Sequence, residues 1–155
     1  MSETEDPHYF EFDLDRGIRD QVIERLENSP VFPFTKGMGP RESGLYVLYY
    51  DDELAYIGKA TKEFTKSDRT LRVRLNEHLK KLTDYDLDLS RVTCRFLVFQ
   101  SDWWAVAAEV ALIRHLIPPW NGSGLGSKTP GGGRPGTDRV SRFDQQFSKR
   151  LRPLI

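Results

Sequence analysis

Five side chains in this sequence have types and spacings suited to chemistry: Tyr46, Tyr56, Arg74, His78 and Glu109. An arginine offers a planar fork that matches a phosphate with two parallel hydrogen bonds. His78 lies four residues after Arg74, so on a helix both project from one face. A neutral imidazole there can accept or relay a proton near pH 7. Tyr46 and Tyr56 fall in neighbouring aromatic-rich runs, and a hairpin can bring them onto one face. A phenol donates or accepts a hydrogen bond and, once deprotonated, acts as a base. Glu109 sits among Ala105, Val106, Leu112 and Ile113. A carboxylate against such neighbours needs a cation. That cation is either a divalent metal, since hard oxygen ligands suit Mg²⁺, or an arginine, Arg74 or Arg95. Each residue also has an ordinary role: core packing for the tyrosines, a solvated face for Arg74, a half-buried position for His78. Lys59, after Gly58, serves equally as a phosphate contact or a surface lysine. Asn121 follows Pro118-Pro119-Trp120 and suits a turn. As a set, these residues suit the cutting of a phosphodiester.

The elements that must hold them are readable in order. Residues 1–12 are expected to be a flexible N-terminal lead. Ile18, Val22, Ile23 and Leu26 recur at helical spacing, so a helix is expected within 13–29, capped by Asp13 or Asp15 and running to about Glu27. Pro30, Pro33, Gly37, Gly39 and Pro40 predict a loop. Gly44–Tyr50 and Leu54–Lys59 read as two strands joined through Asp51-Asp52-Glu53 as a hairpin. Residues 61–68 are polar and read as a loop. Leu71, Leu75, Leu79 and Leu82 give a helix from about Arg69. Val92–Phe99 is a third strand, and a helix capped by Asp102 follows to about Leu116, stopped by Pro118-Pro119. Seven glycines between 122 and 136 open a tail, 122–155, with a short helix expected over 141–150. The expected fold is α+β: a small antiparallel sheet of about three strands flanked by helices. Residues 13–155 are expected to form one domain.

Composition excludes some classes. The chain has 155 residues, enough for one unstapled core. The formal net charge is zero, so overall charge decides nothing about partners. The charges are segregated, however. Acids crowd the first thirty residues, and Lys128, Arg134, Arg139, Arg142, Lys149, Arg150 and Arg152 make the end basic. Such segregation can turn a positive face to phosphate, although solvated termini explain it as well. The single cysteine, Cys94, permits no internal disulfide and no zinc cluster, and its apolar run suits a small core residue. No stretch approaches a membrane span and the acidic N-terminus is unlike a signal peptide, so a cytoplasmic location is expected.

Gly44-Leu45-Tyr46, Tyr56-Ile57-Gly58, Arg74, Glu109 and Asn121, in this order, resemble the GIY-YIG nuclease superfamily. Leu45 replaces the usual isoleucine. His78 stands where many members have tyrosine, which is similar to the type II restriction endonuclease branch. The helix at 13–26, the segment Pro118-Pro119-Trp120-Asn121 and the tail with Gly133-Arg134 and Ser141-Arg142-Phe143-Asp144 extend the resemblance over nearly the whole chain.

The resemblance implies a Mg²⁺- or Mn²⁺-dependent phosphodiester hydrolysis. Glu109 would hold one metal ion that stabilises developing charge and the leaving oxygen. Arg74 would grip the scissile phosphate. Tyr46 would help to deprotonate the attacking water, with His78 sharing its proton, and Tyr56 would orient the water or a phosphate oxygen. Asn121 would support the site near Glu109 or Tyr56, and Lys59 would assist by charge. Lys62, Lys66, Arg69, Arg134, Arg139 and Arg142 are the candidate contacts to double-stranded DNA. A restriction enzyme cutting both strands of a palindrome would act as a homodimer on DNA, which leaves room for a cognate DNA methyltransferase in the host, outside the complex. Competing readings are a structure-specific repair or recombination nuclease, a catalytically idle DNA-binding module of the same fold, and a purely structural domain.

Overall fold

A computed structural model describes residues 7–8, 13–62, 69–121 and 146–147. Among them, four strands and three helices follow one another as α1 (Leu14–Glu27), β1 (Phe32–Pro33), β2 (Gly44–Tyr50), β3 (Glu53–Ala60), α2 (Leu71–Leu82), β4 (Val92–Val98) and α3 (Asp102–Leu116). The sheet is antiparallel throughout, in the order β1-β4-β2-β3. The architecture is α+β, as expected, with one strand more than the sequence pattern predicts. The addition is β1, two residues inside the proline-rich loop. Phe32 and Pro33 pair with Cys94 and Thr93, and the Phe32 ring stacks on Phe96 at 5.4 Å. Proline is tolerated there because β1 is an edge strand.

Alternation along the strands gives the sheet two buried faces. Leu45, Val47 and Ile57 turn to α1 and α3, where Val22, Leu26, Ala108 and Leu112 meet them. Tyr46, Leu48 and Tyr56 turn to the other side, against Leu71, Leu75 and Leu82 of α2. Gly44 permits the central β2–β4 pairing, because a Cβ there would overlap the Leu97 carbonyl oxygen.

The helix ends follow local rules. Asp13 caps α1 by accepting from Arg16 N at 3.1 Å. At its other end, Arg95 Nη1 donates to the Leu26, Glu27 and Ser29 carbonyls at 2.5–3.1 Å. A cation among terminal carbonyls is favoured twice, by hydrogen bonding and by the helix dipole. Thr70 caps α2, which therefore starts at Leu71 rather than Arg69. Ser101, not Asp102, caps α3; Asp102 is its first residue. Both are good capping residues side by side, so composition alone could not choose. The stop before Pro118 is made by Ile117 in the left-handed region at φ 46°.

Candidate active site

The β2–β3 hairpin decides where the tyrosines point. Asp51 and Asp52 both have positive φ, 51° and 63°, as a two-residue hairpin turn requires. Asp51 is held in place by a bidentate pair with Arg91, whose guanidinium also lies over the Tyr50 ring at 4.6 Å. A two-residue turn with unbroken pairing would set Tyr46 opposite Ile57 and send Tyr56 to the other face. The register instead shifts between Leu48 and Tyr49, so that Leu48 pairs with Tyr56 and Tyr46 with Gly58. Ala55 is the extra residue of this β-bulge. A one-residue slip moves every later side chain to the opposite face. The bulge thus brings Tyr46 and Tyr56 together, ring centroids 6.0 Å apart.

Gly58 completes the arrangement. A Cβ at this position would overlap Cζ and the hydroxyl of Tyr46, so the Tyr46 ring lies directly on the glycine backbone. His78 closes the cluster from α2, its ring 5.5 Å from Tyr46 and 4.9 Å from Tyr56. His78 is fully buried, not half-buried as in the ordinary alternative role. Among the described residues, neither of its nitrogens has a hydrogen-bond partner, nor does the Tyr46 hydroxyl have one of normal geometry. Three orphaned polar atoms within one aromatic cluster are costly, on the order of 1–3 kcal/mol each. Such groups usually await a ligand or water.

Electrostatics fixes their resting states. Burial, reinforced by Tyr56 and Glu109, pushes the Tyr46 phenol well above its ordinary value, against the opposing pull of Arg74. Burial and Glu109 raise Tyr56 to about 12. Burial, with Arg74 and Lys81 adding repulsion, lowers His78 to about 3. All three are therefore neutral near pH 7.

Two ion pairs flank the cluster. Arg74 Nη1 meets Glu77 Oε2 at 2.7 Å. Lys59 Nζ meets Glu109 Oε1, also at 2.7 Å, with the Glu109 side chain 15% exposed. Neither Arg74 nor Arg95 serves Glu109, because Arg74 is engaged by Glu77 and Arg95 by the α1 carbonyls. Lys59 is thus no free surface lysine. Its strand places it on the α3 side, where a carboxylate fifty positions away in sequence reaches it. Asn121 is a backbone clamp. Its Nδ2 donates to Ile57 O at 2.8 Å and its Oδ1 accepts from Ile57 N at 2.9 Å, while Trp120 N donates to Ala55 O. Asn121 and Trp120 together brace the edge strand on either side of Tyr56. Trp120 itself is buried against Tyr50 and Phe147.

Of the candidate DNA contacts, Lys62 is exposed and Arg69 half-buried just before α2. Lys66, Arg134, Arg139 and Arg142, like most of the tail, lie outside the described residues. Glu77 and the Ala55 bulge were not singled out by the sequence reading. Glu77 could have been found from its spacing, three residues after Arg74 and four before Lys81.

The family model described as the Eco29kI GIY-YIG domain matches residues 42–152. The chain belongs to this family of type II restriction endonuclease GIY-YIG domains. No curated protein matches the chain. The protein is accordingly a nuclease with DNA as its substrate, and GIY-YIG nucleases are generally divalent-metal dependent. Among the described residues, no group of three His, Cys, Asp or Glu side chains could hold an ion. A single carboxylate still fits a cation such as Mg²⁺, which keeps most of its waters. Glu109 is partly open, and its charge is felt at both Tyr46 and Tyr56, where the orphaned hydroxyl lies. No described helix is long and apolar enough to cross a membrane.

Proposed function

We propose that this protein is a site-specific restriction endonuclease that hydrolyses phosphodiester bonds of double-stranded DNA with the help of Mg²⁺ or Mn²⁺. The observation that carries the reading is the cluster of buried, partnerless polar atoms on Tyr46 and His78, with Arg74 on one side and Glu109 on the other. That arrangement is costly to the fold and useful only when a polar substrate enters.

In this reading Arg74 binds the scissile phosphate and offsets its gathering charge. Tyr46 passes its phenolic proton to neutral His78 and, as the phenolate, accepts the proton of the attacking water. Tyr56 orients the water or a phosphate oxygen. Glu109 would hold the cation in place of Lys59, and Lys59 would contribute charge near the phosphate. A divalent ion bound there supplies positive field that stabilises the developing phosphate charge and the leaving oxygen and eases ionisation of the Tyr46 phenol. Asn121 keeps the Tyr56 strand in place. Lys62 and Arg69, with Lys66, Arg134, Arg139 and Arg142, contact DNA, and a homodimer cuts both strands.

Digestion of unmethylated phage and plasmid DNA, with Mg²⁺ and with EDTA, tests this. Discrete fragments that vanish in EDTA are expected. A smear or isolated nicks would favour a repair-type nuclease, and binding without cleavage would favour an idle DNA-binding module.

A further inference from the structure

The scheme above gives Glu77 no task, yet this carboxylate occupies the fork reserved for phosphate. Its Oε2 accepts from Arg74 Nη1 at 2.7 Å. The Arg74 side chain is 7% exposed and that of Glu77 is 37% exposed, so the carboxylate reaches in from the rim to a buried cation. A guanidinium buried beside neutral aromatic groups needs such a counter-ion whenever no phosphate is present. Four residues further along α2 lies Lys81, half-buried, which feels the positive charge of Arg74 and the negative charge of Glu77. Glutamate preceding lysine by four is the favourable helical order for a pair. Glu77 therefore sits between two cations, Arg74 one turn before it and Lys81 one turn after. A phosphodiester arriving at Arg74 meets the carboxylate at close range, and the two anions repel.

We propose that Glu77 is a toggling counter-ion: it holds Arg74 while no DNA is bound and passes to Lys81 when a phosphodiester takes the guanidinium. The inference rests on Arg74 being the phosphate-binding residue of the proposed function. Glu77 and Lys81 act through Arg74, so they are positioning residues. Of these three residues, only Arg74 touches the substrate. The toggle makes every DNA engagement pass through an exchange of partners within one helix face, which tunes affinity without adding a contact.

Binding of a fluorescently labelled duplex of mixed sequence, in EDTA across a range of salt, separates the possibilities. E77Q is expected to tighten binding about fivefold, and K81M to weaken it about tenfold, because Glu77 then has nowhere else to go. In the E77Q background K81M should cost less than about twofold. If Lys81 instead touched phosphate itself, K81M would lower the salt slope by about one in both backgrounds. Additive losses with that slope change would overturn the toggle while leaving the Arg74 reading intact. Undiminished binding by R74K, which keeps the charge and loses the fork, would overturn the phosphate role of Arg74 and the toggle with it. Both α2 positions are partly exposed, and melting curves establish that the variants are folded.

Discussion

The two faces of the sheet are built from the same strands and differ in what they leave unsatisfied. The face under α1 and α3 is aliphatic: Val22, Leu26, Leu45, Val47, Ile57, Ala108 and Leu112. None of the partnerless buried polar atoms found among the described residues lies there. The face under α2 holds Tyr46, Tyr56 and His78, with an orphaned hydroxyl and two orphaned ring nitrogens. One face stabilises the fold, and the other gives back part of that stability by holding polar atoms buried without partners. Ala55 and Gly58 separate the two jobs: the bulge sorts the tyrosines onto the second face and the glycine makes room for one of them.

The comparison predicts opposite responses for the candidate site residues and for the aliphatic core. Glu109→Ala should reduce cleavage by about a thousandfold while the far-UV spectrum and melting temperature stay close to the parent's. Unchanged cleavage would remove Glu109 from the site. Tyr46→Phe should cost about a hundredfold or more in cleavage. Yet it should leave stability unchanged or higher by about 1 kcal/mol, because it deletes an unsatisfied buried hydroxyl. A large loss of stability in chemical denaturation would mean that the hydroxyl has a structural partner. Leu112→Ala on the aliphatic face should behave the other way round. It should destabilise by about 2–5 kcal/mol through lost burial and a cavity, with activity per folded molecule retained. Equal loss of specific activity would erase the distinction between the faces.

The sequence carried much of this division, and the parts it hid are those that depend on distance. The α1 cap at Asp13 and the leucine stripe of α2 follow local rules and were legible. So were two pairings, Tyr46 with Tyr56 on a hairpin face and Arg74 with His78 on a helix face; that the two pairs share one site was implied only by the family resemblance. The means were not legible. A three-residue connection through Asp51-Asp52-Glu53 gives the same tyrosine register as the two-residue turn plus bulge that the chain uses, and no local preference separates them. The partner of Glu109 was missed because charge matching alone offers several cations. Only the fold brings Lys59 alongside and commits Arg95 to the end of α1. β1 was hidden because two residues beside a proline carry no period.

His78 offers the gentlest way to probe the costly face. Its ordinary value is 6.5, and in the folded protein burial, helped by Arg74 and Lys81, lowers it to about 3. The unfolded chain therefore takes up a proton at His78 between these values and the folded protein does not. Stability then falls as the pH drops below 6.5, by up to about 1.4 kcal/mol per unit, and this contribution levels off near 3. Above 6.5 both states are neutral at this position and it contributes no slope. Two carboxyls act in a lower window. Asp51 and Asp88 are held below their ordinary 3.8, chiefly by hydrogen bonds to Arg91 and Ser90 respectively. They matter only when the solution approaches that value. His78→Phe fills the same aromatic cavity without a titrating group, so denaturation between pH 6.5 and 4.5 should lose its slope while the lower transition persists. If the slope survives, the cost of acid lies elsewhere. If it disappears together with cleavage at neutral pH, the same imidazole both burdens the fold and serves the reaction, as the contrast between the two faces requires.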